Sequence, residues 1–192
     1  MINEGKSERN TEVKRMEWEA IINWLNQDTE PQKSLVVMLC GIAGSGKTTL
    51  AKRLEKMGFL RLSIDEEVWQ QYGQYDVDYP ASAYAQLSAA VENQLKNQLD
   101  EAIHEKKSVV IDFSFWSKKN REAYRERIIK AGGQVRLLYL QASPDLLRSR
   151  LRQRAKHIEA NAAFEITDTI LEGYLQSFEV PQGEGELIIK QK

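Results

Sequence analysis

The hydrophobic pattern changes period along the chain, and the changes mark out its elements. From Glu8 to Asn26 the apolar positions Val13, Met16, Ala20, Ile21, Trp24 and Leu25 recur at three- and four-residue steps, with Trp18 and Ile22 widening the stripe. That spacing predicts an amphipathic helix. Met1 to Ser7 reads as a frayed tail, and Asp28 to Lys33, with Pro31, as a linker. Leu35 to Cys40 is apolar at every position, as a parallel strand covered on both faces requires. Helical and strand-like stretches then alternate. A helix from Gly46 to Met57 stops at Gly58, and a strand spans Phe59 to Ile64. Asp65-Glu66-Glu67 opens a short helix to Gln71, and the tyrosine- and acid-rich Gln70 to Pro80 is expected as a loop. Tyr84, Leu87, Val91, Leu95, Leu99, Ala102 and Ile103 predict a long helix within Ala81 to Lys106. A strand at Ser108 to Asp112 precedes a Ser117-capped helix to Ala131, and Gln134 to Gln141 is a further strand. Ser143-Pro144 starts a helix to His157. Ile158 to Phe164 is less regular, Thr167 or Asp168 caps a helix to Phe178, and Leu187 to Ile189 is a short last strand. Strands alternating with helices imply an α/β protein with a parallel sheet, helices on both faces and right-handed crossovers.

Composition narrows the class. With 192 residues, 42% hydrophobic and 29% charged, the chain has enough material for one globular core. The expected division is 1–33 as tail and amphipathic helix and 34–192 as the main domain. A net charge of −1 gives no global attraction to nucleic acid or anionic membrane. No apolar run is long enough to span a bilayer, and the N-terminus has no apolar core of a signal peptide. Cys40 is the single cysteine, so no intrachain disulfide can form, which suits a reducing compartment. The cytoplasm is the expected location, and Cys40 is expected as a packing residue.

The first strand runs into GIAGSGKTT. Gly41, Gly46, Lys47 and Thr48 satisfy G-x-x-x-x-G-K-[ST], the phosphate-binding P-loop, in its confirming context of strand before and helix after. Its backbone N–H groups and the positive end of the next helix would cradle phosphates. The nucleotide would be held by Gly41, Ala43, Gly44, Ser45, Gly46, Lys47, Thr48 and Thr49. Lys47 would reach the β- and γ-phosphates, and Thr48 would ligate Mg²⁺.

Two acids end strands on the same sheet edge, where ligands bind in such folds. Asp112 follows Val109-Val110-Ile111 and reads either as a Mg²⁺-shell carboxylate or as a turn aspartate. Asp65 reads either as the base that takes a proton from a substrate hydroxyl or as the cap of the helix it precedes. In LLRSRLRQRAK the helical directions place Arg150 and Arg154 toward the buried side and Arg148 and Arg152 away from it. An inward arginine needs an anion, either a bound triphosphate or neighbouring acids. Arg121 and Arg125, on the helix after the third strand, are expected at the surface, as are His104 and His157. From Lys118 to Lys156 twelve basic residues face only three acids, Glu122, Glu126 and Asp145, a basic half that suits phosphate. Tyr72, Tyr75, Tyr79, Asp76 and Asp78 could belong to a pocket for a polyol or amine, or to an ordinary loop.

Together the P-loop GIAGSGKTTLA, Asp65, the VVIDFSFW strand and the RLRQR helix resemble small P-loop kinases, AAA-domain ATP-binding proteins. The nearest branch holds chloramphenicol phosphotransferase, zeta toxin and the kinase domain of polynucleotide kinase. The resemblance covers about Leu35 to Ala155, with weaker similarity in FEITDTILEGY and SFEVPQGEGE. It implies a three-layer α/β P-loop NTPase sandwich: a five-stranded parallel sheet in the order 2-3-1-4-5 with an arginine-bearing lid, to which the N-terminal helix is an addition. It also implies ATP and Mg²⁺ as cofactors, Asp65 as base, and Lys47, Arg150 and Arg154 as the groups around the transferred phosphate. The expected activity is transfer of the γ-phosphate to a hydroxyl of a small molecule. Alternatives are a 5′-hydroxyl polynucleotide kinase, which the acids Glu66 and Glu67 disfavour, and a nucleotide-binding, toxin-like regulator with weak ATPase activity that uses the N-terminal helix for a partner.

Overall fold

The computed structural model describes residues 18–155, 160 and 164–192. The frayed tail, the first part of the N-terminal helix, His157 and most of the stretch between Ile158 and Phe164 lie outside them. The chain divides into two units, Met1–Pro31 and Gln32–Lys192. In the first, residues 18–26 are helical (α1). The helix ends in a turn closed by Gln27 N–H donating to Trp24 O (3.2 Å), and Thr29 Oγ1 donates to Asn26 O (3.0 Å).

The second unit is built on a sheet of β1 (Leu35–Cys40), β2 (Leu60–Leu62), β3 (Val109–Ile111), β4 (Gln134–Gln141) and β5 (Glu186–Lys190). The order is β2-β3-β1-β4-β5 and every pairing is parallel. This is the order that the resemblance implies. β1 lies at the centre with all six residues buried, because helices cover both faces. Around the sheet run α2 (Lys47–Glu55), α3 (Ile64–Tyr72), α4 (Tyr84–His104), α5 (Lys118–Lys130), α6 (Pro144–Arg154) and α7 (Asp168–Ser177). One core joins Val36, Met38, Leu62, Val91, Leu99, Ile111, Ile128 and Leu137. Among the described residues no helix is long and apolar enough to cross a membrane.

The expected boundaries shift in ways that bear on the site. β2 is shorter than Phe59 to Ile64, because Ser63 leaves the strand and its hydroxyl accepts from Glu66 N–H. That makes Ser63 the cap of α3, so Asp65 is a first-turn residue and not the cap. α3 then takes in Tyr72, and Gly73 (φ 85°) ends it. A 3-10 turn at Ala81–Ala83 precedes α4. Ser117, Ser143 and Thr167 cap α5, α6 and α7, each leaving a hydroxyl where an orphan helix N–H needs an acceptor.

Candidate functional site

The carboxyl edge of β1 opens into the loop from Gly41 to Gly46. A Cβ on Gly41 would lie 2.7 Å from Ser45 Oγ and 2.8 Å from Leu140 O, so a side chain there would push the turn apart. Gly46 sits at φ 99° immediately before α2, a left-handed conformation that turns the chain into the helix without the strain a side chain would bring. The Lys47 ammonium curls back to the loop, donating to Gly41 O (2.8 Å) and Ile42 O (3.2 Å). Burial lowers its pKa from the ordinary lysine value, opposed by the charges of Asp112 and Asp65.

Asp112 ends β3 beside this loop, with its N–H bonded to Leu62 O (2.8 Å). Its Oδ1 accepts from Thr48 Oγ1 at 3.4 Å. Its Oδ2 is gripped by Arg61, through Nε at 3.1 Å and Nη2 at 2.7 Å. The remaining Arg61 nitrogen, Nη1, donates to Glu66 Oε2 at 2.6 Å, and Lys52 reaches Glu66 Oε1 at 3.3 Å. The side chains of Arg61 and Asp112 are each 2% exposed. Burial opposes the guanidinium charge, but hydrogen bonds to Glu66 and Asp112 outweigh it and raise the Arg61 pKa. The sequence reading passed over Arg61. Its signal was an arginine in the middle of Leu-Arg-Leu, a strand whose burial demands an anionic partner.

Asp65 projects from the first turn of α3 and accepts a hydrogen bond from the Tyr84 hydroxyl (2.8 Å). Asp65 is an exposed residue. Desolvation is the largest influence and raises its pKa; Asp112 adds to this, while the Tyr84 bond, Lys47 and Arg154 oppose it. The same partnership, with burial as the leading cause, raises the Tyr84 pKa. Arg154, at the end of α6, lies close enough for its charge to act on Lys47, Asp65 and Tyr174.

Arg150 is placed differently. Its Nη1 donates to Gly44 O (3.3 Å) and Gln191 Oε1 (3.4 Å), and its Nη2 to Lys192 O (3.3 Å). It braces the outside of the phosphate loop against the strand-five end of the chain. Arg152 is exposed as expected and pairs with Asp168, whereas Arg148 is half-buried, pairing with Asp145 and, across to α7, with Glu172.

The surface reading of Arg121 is overturned. Its side chain is 1% exposed and forms a fork with Glu184, Nε to Oε2 at 2.7 Å and Nη2 to Oε1 at 2.6 Å. Its Nη1 donates to Phe115 O (3.0 Å) and Glu179 O (2.8 Å), and Arg125 caps Glu184 O at 2.6 Å. The segment after α7 folds back across the start of α5, and no local window could show a carboxylate 63 residues away. The hydrogen bond from Arg121 is the main reason that the Glu184 pKa is lowered. Cys40 is buried, with Sγ 3.4 Å from Phe115 O, and burial pushes its pKa up to about 11. Such a thiol is inert. His104 is an exposed residue whose Nδ1 lies 2.7 Å from Asp100 O.

Thr48 Oγ1 and Asp112 Oδ1 are a pair of hard oxygen donors, the type that Mg²⁺ prefers. Among the described residues no group of three or more His, Cys, Asp or Glu gathers to hold a metal.

A family model described as an AAA domain matches residues 36–181. No curated protein matches the chain. Among solved structures, a provisionally assigned kinase from Chloroflexus aurantiacus has a TM-score of 0.65 at 18% identity, covering 84% of this chain and 87% of that one. A gluconokinase from Sinorhizobium meliloti 1021 has a TM-score of 0.53 at 20% identity, covering 84% of each. Kti12 from Chaetomium thermophilum, in complex with ADP-AlF3, has a TM-score of 0.53 at 17% identity, covering 81% of this chain and 88% of that one. At these identities the likeness is one of fold.

Proposed function

Because the chain belongs to the AAA domain family, we propose that it is an ATP-dependent phosphotransferase moving the γ-phosphate to a hydroxyl of a small molecule. One observation carries this reading: Asp65, an exposed carboxylate in the first turn of α3, feels the charges of both Lys47 and Arg154. A loop that only bound or sensed nucleotide would not need a carboxylate beside it.

The roles follow from position. The backbone from Gly41 to Gly46 holds the β- and γ-phosphates, and Lys47 exchanges its loop carbonyls for phosphate oxygens. The anion offsets the desolvation that lowers the lysine pKa, so binding fixes the ammonium form. Mg²⁺, bound through Thr48 and Asp112, would supply charge neutralisation on the phosphates. Arg61 fixes Asp112 by occupying Oδ2 and leaving Oδ1 to the Thr48 side. Asp65 accepts the proton as the acceptor oxygen bonds to phosphorus and the bond to the ADP oxygen breaks. Its pKa, raised chiefly by desolvation, makes it a better proton acceptor than an aspartate at the ordinary value. Arg154 counters charge on the transferred group, and Arg150 keeps the loop in shape from outside.

The test is acceptor-dependent ADP formation by the purified full chain with ATP and Mg²⁺, using sugars, sugar acids, aromatic alcohols, nucleosides and a 5′-hydroxyl oligonucleotide. Asp65→Asn should lower kcat by about 10²- to 10⁴-fold while leaving nucleotide affinity nearly intact. Unchanged turnover in that variant removes Asp65 from the mechanism. Efficient transfer to the oligonucleotide alone would replace the small-molecule acceptor by a nucleic-acid end.

A further inference from the structure

The segment between β3 and α5 touches the phosphate loop and its helix at two points. Asp112 Oδ1 accepts from Thr48 Oγ1 (3.4 Å). Further along, Ser114 O accepts from Gly41 N–H (3.2 Å), and Gly41 O in turn accepts from the Lys47 ammonium (2.8 Å). The shape of this segment therefore bears on the lysine through Gly41, and on the Thr48–Asp112 oxygen pair directly. The bend that gives it this shape is at Phe115, a buried residue at φ 46°. That is the left-handed region, which a bulky side chain enters only when its surroundings hold it there.

The Phe115 carbonyl receives two donors, Arg121 Nη1 at 3.0 Å and Cys40 Sγ at 3.4 Å. The rest of the Arg121 guanidinium is spent on the stretch after α7, through Glu179 O and the fork on Glu184. That stretch is tied back to the start of α5. Glu179 N–H donates to Trp116 O (3.2 Å), Lys118 N–H to Glu179 Oε2 (2.7 Å) and Arg125 to Glu184 O (2.6 Å). The Arg121 and Glu184 side chains are 1% and 8% exposed. Packing of α5 does not call for a charge at this position, since Tyr124 and Ile128 already form its buried face. A buried ion pair seldom adds net stability over apolar residues of the same size. Stability alone therefore does not account for the fork, whereas the held carbonyl of Phe115 does.

We propose that Arg121, with Glu184 as its counter-charge, is a positioning residue for the phosphate loop: by holding Phe115 O it keeps the segment from Asp112 to Trp116 bent, so that Ser114 stays on Gly41 and Asp112 stays on Thr48. It acts through the backbone of that segment. Without the guanidinium the bend at Phe115 relaxes, Ser114 O turns away from Gly41 N–H, and Lys47 loses its fixed place relative to Thr48 and Asp112. The loop must then be ordered at the moment a nucleotide binds, which weakens binding. This rests on the nucleotide-binding half of the proposed function and not on phosphate transfer.

The experiment is titration of the full chain with a fluorescent ATP analogue and Mg²⁺, alongside thermal denaturation, for the parent, Glu184→Gln, Arg121→Met and the double variant Arg121→Met/Glu184→Leu. Arg121→Met leaves Glu184 buried and unpaired, so it should lose stability. The double variant removes both charges and should melt close to the parent. Its nucleotide affinity should nevertheless fall by about tenfold, the scale of one lost hydrogen bond from a charged group. Glu184→Gln keeps the shape of the fork and one acceptor oxygen, and should lose less affinity in the same direction. A merely structural pair predicts the opposite, with affinity returning as the melting temperature returns. Parent-like affinity in the double variant, or in Glu184→Gln if the double variant does not fold, overturns the proposal. The two readings fail separately. A parent that binds the analogue but forms no ADP with any acceptor sinks the phosphotransferase and leaves the loss of affinity in the variants as support here. Parent-like affinity in the variants leaves phosphate transfer untouched.

Discussion

The two sides of the candidate site are built by different means. The phosphate side is mostly backbone: a glycine-shaped loop between β1 and α2, whose lysine is folded back onto its own carbonyls at 2.8 and 3.2 Å. The Asp65 side is mostly side chain: one carboxylate, one hydroxyl bonded to it at 2.8 Å, and rings contributed by three separate segments. A backbone cradle recognises what all nucleoside triphosphates share, so one local motif suffices. Side chains can vary without disturbing the backbone of the fold. Between the sides stands Arg61, which holds Asp112 with one edge and Glu66, next to Asp65, with the other. It ties β2, β3 and the first turn of α3 together.

That contrast can be broken experimentally, beginning where the effect should be largest. Lys47→Met should reduce kcat by about 10²- to 10³-fold and weaken nucleotide binding as well. Asp65→Asn should spare nucleotide binding, so a fluorescent-nucleotide titration of both variants separates the two sides. Equal loss of nucleotide affinity in the two would show that they do not act independently.

Arg61→Leu tests the tie between them. It leaves Asp112 buried and uncompensated, a defect worth about 3–5 kcal/mol. For a chain of this size that corresponds to a fall in Tm of about 10 °C, readable by thermal denaturation at neutral pH. A fall no larger than that of an exposed substitution would mean that Asp112 finds another partner.

The smallest effect concerns pH. Asp65 must be ionised to take a proton, and its pKa is raised above the ordinary 3.8 chiefly by desolvation. The kcat/KM profile should therefore carry an acid limb above that value, and Asp65→Asn should abolish the limb. The stability sign runs the other way. A carboxylate whose folded pKa is raised contributes stability below its unfolded pKa and loses it as pH rises through the folded one. At neutral pH the ionised Asp65 is thus a small cost, and Asp65→Asn, which can still accept from Tyr84, should melt slightly higher than the parent. A clearly lower Tm would contradict the desolvation argument.

The parts legible in the sequence were those whose cause is local or periodic. Gly41 to Thr48 announced the loop, the all-apolar Leu35 to Cys40 announced a central strand, and Ser117 and Ser143 marked helix starts. Asp65 and Asp112 could be placed at one edge because each follows a strand of a parallel sheet, Asp112 directly after β3 and Asp65 in the first turn of α3 after β2. The strand order came from the family resemblance. The parts that stayed hidden were pairings over long separations. Arg61 meets Asp112 across 51 residues and Arg121 meets Glu184 across 63. A lysine- and arginine-rich helix start gives no hint that one of its arginines will be buried. The inward direction of Arg150 was read correctly, but its partners are loop carbonyls, which carry no mark in the sequence.

By itself, the sequence determined that a phosphate loop would form on the edge of a parallel α/β sheet, because steric freedom at glycine, apolar burial and capping act over a few residues. Only the tertiary structure decided three things: that Ser63 and not Asp65 caps α3, that Arg61 locks Asp112, and that Tyr75, Tyr79, Tyr84 and Phe164 gather beside Asp65. Each depends on chain segments brought together by the closing of the sheet and the packing of its helices. The energy of a buried charge or a ring contact exists only once the distant partner is within reach.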